Sequence, residues 1–146
     1  MEKQVILSIR GQQTVEGERE PEVTELVTEG TMSVDDNHNI SLIYQESELT
    51  GLEGTQTTIQ VEPESVSVLR VGQVNSQMVF QPGRKHLSLY NTPYGALTMG
   101  VSTRHMKVDL DETGGSIEID YSIEIDHAVA GQNLFQIFVR TRNIPQ

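Results

Sequence analysis

Two ions and two phenols fall where an antiparallel strand would turn them into a core. Tyr44 and Glu46 continue the alternate positions of Ile40 and Leu42, and Arg70 continues those of Val66 and Val68. Tyr121 shares the alternate set of Ile117 and Ile125. Arg104 stands where the alternation of its own segment changes parity, which leaves its direction open. A charge on an inward face must be paired, hydrated or bound to a ligand, because an unpaired buried ion is costly. Two chemistries follow. One is structural: a Glu46–Arg70 ion pair, or a bulge that turns one of the two outward. The other is functional: Glu46 and Arg70 as polar anchors, with Tyr44 and Tyr121 as walls, for a small anionic or amphipathic ligand inside a barrel. A third use is an enzyme with Glu46 as acid or base, its pKa shifted by burial, but no nucleophile or partner base is visible.

No other group of residues makes a catalytic or metal site. The four histidines, His38, His86, His105 and His127, include no pair at i, i+2 or i, i+4, the local pairing that zinc sites usually show. There is no Cys, which excludes disulfides and thiolate metal sites. Neither a Gly-x-Ser-x-Gly elbow nor a phosphate-binding glycine loop occurs. The carboxylate row Glu118, Asp120, Glu124 and Asp126 reads as the solvated face of a strand. The sequence therefore assigns no catalytic residue, no metal and no cofactor.

The net charge of −11 disfavours nucleic acid and anionic membranes as partners. It is also segregated. Residues 16–64 carry 13 acids against one base, Arg19, whereas residues 65–108 hold no acid and five bases: Arg70, Arg84, Lys85, Arg104 and Lys107. Cross-strand ion pairs with the acidic flanks would absorb those bases. An anion site is the functional alternative. Met1-Glu2-Lys3-Gln4 has an acid where a signal peptide would be basic, and no run reaches the about 20 apolar residues of a membrane span, so a cytoplasmic location is expected.

The elements that must position these residues are strands. Ile117 to Asp126 alternates apolar with polar residues throughout, and nothing of similar length repeats at the helical period. Turn residues divide the chain into strands at about Lys3–Val15, Glu22–Val34, Ile40–Glu48, Thr55–Glu62, Val66–Val71, Gln73–Phe80, His86–Tyr90, Ala96–Leu110, Ser116–His127 and Leu134–Arg142. The segment from His127 to Asn133 could hold a short helical turn. The apolar set of the second strand shifts from Val23 and Val27 to Met32 and Val34, which predicts a bend or bulge near Gly30. Leu97, Met99 and Val101 are odd while Met106, Val108 and Leu110 are even, which predicts a β-bulge between Ser102 and His105. Gln81-Pro82-Gly83-Arg84 suits a type II turn. For the hairpin at Glu112-Thr113-Gly114-Gly115, a four-residue loop that sets Lys107 against Asp120 is preferred to a two-residue Gly114-Gly115 loop, which sets Asp109 against Asp120. Short sequential turns favour one antiparallel up-and-down β-barrel of about 8–10 strands over a two-sheet sandwich, in a single domain spanning 1–146.

The segments Ile43-Tyr44-Gln45-Glu46, Leu69-Arg70-Val71-Gly72, Met78-Val79-Phe80 and Tyr90-Asn91-Thr92-Pro93-Tyr94-Gly95, followed by Thr103 and Gly114-Gly115, occur in that order. Together they resemble the YwiB-like family of uncharacterised bacterial proteins over essentially the full chain. Thr-Pro-Tyr-Gly is the most specific piece. The resemblance implies a calycin-type, lipocalin-like β-barrel and carries over no catalytic residue. Tyr94 matches the family pattern, as do Tyr44, Glu46 and Arg70. The candidate ligand-binding set is thus Tyr44, Glu46, Arg70, Tyr94, Arg104 and Tyr121. The expected activity is non-enzymatic binding of a small molecule, and the alternative is a protein-interaction module or homodimer acting through the barrel exterior.

Overall fold

A computed structural model of the chain describes residues 2–14, 20–46, 53–72, 75–92, 95–126 and 128–141. Ten strands follow one another: β1 Glu2–Thr14, β2 Glu22–Val34, β3 Ile40–Gln45, β4 Thr55–Val61, β5 Val66–Gly72, β6 Ser76–Phe80, β7 Lys85–Thr92, β8 Gly95–Asp111, β9 Gly114–Ile125 and β10 Ala128–Thr141. They form one antiparallel sheet in the order β6-β5-β4-β3-β2-β1-β10-β9-β8-β7. Every strand pairs with its chain neighbours except at β6 and β7, and β10 returns to β1. The result is a single, nearly closed up-and-down barrel. Among the described residues, no helix is long and apolar enough to cross a membrane.

The inner face carries one parity of each strand. Val5, Leu7, Leu42, Ile59, Val66, Ile117, Ile119 and Ile137 are all buried there. Each side chain hidden in this way contributes about 1.5–3 kcal/mol, so the alternation read from the sequence is the main force holding the barrel.

The barrel is pinned beside its open junction by the turn between β6 and β7. Gly83 has φ +76° and Arg84 N–H donates to the Gln81 carbonyl at 3.0 Å, the type II geometry that Pro82-Gly83 predicts. The turn docks on β8. Gly83 N–H donates to the Thr103 carbonyl at 3.0 Å and Thr103 N–H to the Arg84 carbonyl at 3.3 Å. Gln81 N–H donates to the Thr103 hydroxyl at 3.2 Å. The β-bulge lies where the parity change puts it. Thr103 faces Tyr121 and His105 faces Asp120, with Arg104 the extra residue. Thr103 stays buried, and beyond the bulge Met106 and Leu110 pack on the core.

Three expectations are corrected. The β1–β2 ladder runs without a shift from Glu2↔Ser33 to Gln13↔Glu22, so of the expected bend or bulge near Gly30 the bulge does not form. Leu26, Gly30 and Met32 keep one inward parity, and Val23 and Val27 face outward, 43% and 69% exposed. Their apolar, β-branched character suits a strand on either face and does not report direction. Gly30 instead permits close packing, because a Cβ there would meet the Ile43 carbonyl at 2.7 Å and Leu7 Cδ1 at 2.9 Å.

The second correction concerns the β8–β9 hairpin. Its loop is the two residues Glu112-Thr113, with Asp111↔Gly114, Asp109↔Ser116 and Lys107↔Glu118 in register. Neither of the two expected registers forms. Both treat the glycines as loop, whereas Gly114 and Gly115 belong to β9 at φ +116° and +143°. A Cβ on Gly115 would meet the Asp109 carbonyl at 1.9 Å, so close backbone approach is what requires glycine. The Asp111 carboxylate accepts the Thr113 N–H at 2.8 Å and the Thr113 hydroxyl. These two hydrogen bonds hold Asp111 below its ordinary pKa. The observed register also opposes Lys107 to an acid and has no like-charge pair at Asp109, so charge alone did not discriminate it. Third, Ala128 to Asn133 is strand, not a helical turn. It extends β10 along β9 with a register shift between Val129 and Gly131, and His127 lies outside the described residues. The extension satisfies the backbone of β9 as far as Ile125, which a helical turn would leave unpaired.

Gly115→Ala is expected to destabilise the fold by about 2 kcal/mol or more, through strained backbone and the clash with Asp109. A Cβ added at Gly11 would meet nothing within 4 Å, so Gly11→Ala should change stability by no more than about 1 kcal/mol. Urea unfolding of the two variants checks the contrast.

Candidate interior binding site

One cross-strand row places the polar interior. Tyr44 of β3 faces Thr57 of β4, Thr57 faces Arg70 of β5, and Arg70 faces Ser76 of β6. Directly opposed residues share a face, so all four point inward. Glu46 follows two positions after Tyr44. Its N–H donates to the Thr55 carbonyl at 2.8 Å, which carries β3 geometry one step further and keeps Glu46 inside.

The row is tied together by Glu46. The Thr57 hydroxyl donates to Glu46 Oε1 at 2.6 Å, and Arg70 Nε lies 3.7 Å from the same oxygen. The Glu46 side chain is 2% exposed and that of Arg70 21%. The structural pair that the sequence suggests therefore exists. Burial pushes the Tyr44 phenol well above its ordinary value, and the adjacent Glu46 carboxylate pushes it further. Burial also raises Tyr121, against a smaller lowering by the Arg70 charge.

Beside this row the barrel is hollow. A cavity of about 340 Å³ has Val68, Met78, Phe80, Met99, Ile123 and Phe135 among its apolar walls. Its polar walls are Gln13, Arg70, Ser76 and Tyr121. Phe80 and Tyr121 meet in a tilted contact with ring centroids 4.7 Å apart. A second space of about 300 Å³ shares Gln13, Tyr121 and Phe135 and adds Asn133.

The structure sorts the candidate residues. Tyr44, Glu46, Arg70 and Tyr121 come together in the interior. Arg70 and Tyr121 are cavity walls, whereas Tyr44 and Glu46 are buried and are not among them. Arg104 is not part of this interior. As the extra residue of the bulge it turns outward, its side chain 70% exposed, and donates through Nε and Nη2 to Asp120 at 3.2 and 2.7 Å. Tyr94 lies outside the described residues. Arg70, Lys85 and Arg104 each pair with an acid from a flanking segment, so ion pairing absorbs much of the basic block. Among the described residues, no three His, Asp or Glu side chains gather as a metal site requires. Sequence reasoning missed Gln13, Ser76 and Asn133. All three sit at inward parity, but only the pairing of Ser76 with Arg70, and of Gln13 and Tyr121 with Asn133, brings them to the site.

Comparison with known proteins agrees with this architecture. The profile of the family described as "Domain of unknown function (DUF1934)" matches residues 7–137. The "Uncharacterized beta-barrel protein YwiB" of Bacillus subtilis (strain 168) is 27% identical over 125 residues, 86% of each chain. The crystal structure of the ywiB protein from Bacillus subtilis superposes with a TM-score of 0.85 at 25% identity, over 97% of this chain and 94% of that one.

Arg70→Leu is expected to destabilise the fold by about 3–5 kcal/mol, because it leaves the Glu46 carboxylate buried without its cation. Adding Glu46→Gln should recover much of that loss, and a double-mutant cycle by urea unfolding measures the coupling. The two buried tyrosines set an alkaline limit. Their folded pKa values lie above the ordinary 10.0, so their contribution is complete below pH 10 and is lost as pH rises above it. Stability should fall by about 1.4 kcal/mol per pH unit for each of them, and Tyr44→Phe should remove one share of that slope.

Proposed function

The chain belongs to the DUF1934 family, and from the interior of its barrel we propose that it binds a small amphipathic ligand there without chemically transforming it. The observation that carries this reading is the cavity of about 340 Å³, apolar on most sides and with Arg70 among its walls. Native interiors pack densely and leave few voids larger than a water molecule. Small-molecule sites span about 300–1,000 Å³ and combine apolar walls with a few polar groups. This interior fits that description at its small end.

The cavity lies against the β6–β7 junction, where the strands are not hydrogen-bonded. Ser76 and Met78 of β6 line the cavity, as do Leu97 and Met99 of β8 on the far side of β7. Glu46 supports binding and not turnover. Its carboxylate is engaged by Thr57 and Arg70 and does not line the cavity, so it holds the guanidinium in place while Arg70 meets the ligand.

A second reading, contact with another protein or a second copy through the exterior, is favoured by one feature. On the outer face Val27 and Phe138 flank Ser8, and they are 69% and 55% exposed. Light scattering tests the homodimer, and a dimer that Phe138→Ser dissociates would support it.

For the interior site, protein purified from the cells that make it should carry a small molecule in native mass spectrometry, released on mild denaturation. Met99→Trp, which fills the cavity, should abolish that adduct while the variant remains folded by circular dichroism. An adduct unchanged in the filled variant, or no uptake of any amphipathic compound by the unfilled protein, would contradict the reading.

A further inference from the structure

We propose that the outer face of β3–β6 is where two copies of this chain pair, sheet against sheet about a two-fold axis. The inference is independent of the interior site and concerns a different surface from the Val27–Phe138 patch. Directly opposed residues share a face, so the outward side chains line up in rows across the strands. The middle row is Thr31, Ile43, Thr58, Leu69 and Gln77. The rows on either side, through Gln60 and through Gln56, hold only Ser, Gln and Val. None of the three rows contains a charge, on a chain whose net charge is −11. Elsewhere the outer surface differs. Every row through Ile6, Ser8, Arg10 or Gln12 of β1 includes a carboxylate.

A second copy is the partner that this face fits. Two chains of −11 repel wherever their carboxylates meet, and taking a carboxylate out of water is costly. On the β3–β6 face two copies touch with no carboxylate between them. The amides of Gln and the hydroxyls of Ser and Thr both donate and accept. The face therefore complements itself when turned about a two-fold axis, as an isologous contact requires. Within one chain Gln45 Nε2 already donates to Gln56 Oε1 at 3.2 Å, the kind of pairing that a second copy would extend. Leu69 and Val71, 38% and 54% exposed, supply apolar area. A charged partner would find nothing on these rows to pair with.

Carboxylates resume in the connections at the two ends of the face, as at the exposed Asp36, Glu53 and Glu64. An uncharged centre inside a charged rim is common interface anatomy. The Val27–Phe138 patch lies instead between rows that carry Glu29 and the Arg10–Glu25 ion pair, so a contact there has charges to accommodate. The β3–β6 face offers about a dozen residues a side, roughly half of the 20–30 of a standard interface. The dimer is therefore weak, with a micromolar Kd. Salt strengthens it, because screening removes the repulsion between the rims.

Sedimentation velocity of the full chain over a concentration series tests this. A dimer should form well below about 1 mM protein and tighten as NaCl is raised. Thr58→Glu, at the centre of the middle row, should weaken it at least about ten-fold, and so should Thr58→Lys. Mixing the two variants should restore association, because opposite charges then meet across the axis. Leu69→Glu and Leu69→Lys serve as the second couple where the Thr58 variants do not fold. Phe138→Ser should leave the dimer unchanged. A chain that stays monomeric at about 1 mM, or variants that remain apart when mixed, would overturn the proposal. A dimer dissociated by Phe138→Ser and not by Thr58→Glu would overturn this face while the Val27–Phe138 reading stands.

Discussion

The inner face of a nearly closed meander is largely shut off from bulk water, and alternate residues of each strand point toward it. That constraint governs the whole barrel. Apolar residues meet it by burying area. Polar ones meet it only by finding partners, because a lone buried charge or donor is destabilising. Tyr44, Glu46, Thr57 and Arg70 occupy consecutive or opposed inward positions, so their partners lie in the next strand by construction. The Thr57–Glu46–Arg70 cluster is the consequence of that row, and Arg70 and Ser76, at its β5–β6 end, line the hollow beside it.

The same constraint explains the bulge. An inserted residue at Arg104 sends a cation to the surface, where Asp120 receives it. It keeps Thr103 inside, where its backbone and hydroxyl hold the β6–β7 turn. It then returns Met106 and Leu110 to the core. One extra residue thus joins register, surface charge and the closure of the barrel beside its unpaired junction.

Much of this was legible because period two reports faces directly. The barrel class, the bulge at Arg104, the Pro82-Gly83 turn and the inward set of Tyr44, Glu46, Arg70 and Tyr121 all follow from parity or turn chemistry. What was illegible depends on more than one strand. Val23 and Val27 look like core residues alone, and only the unbroken β1–β2 ladder shows them outside. Gly114 and Gly115 look like a loop, and only the approach of the Asp109 and Val139 carbonyls shows why they are glycine within a strand. Neither Asn133 nor Ser76 is notable in sequence, because a site residue of this kind is defined by its cross-strand neighbour. Whether the interior is full or hollow is a sum of side-chain volumes over ten strands, which no local pattern contains.

The central claim is that the hollow is a binding chamber, and methionine methyl NMR tests it most directly. Met78 and Met99 are walls of the cavity, whereas Met32 is fully buried and is not among them. On titration with decanoate, the Met78 and Met99 methyl resonances should shift and saturate while Met32 stays in place. Unmoved Met78 and Met99 resonances, or equal shifts at all three, would contradict the account.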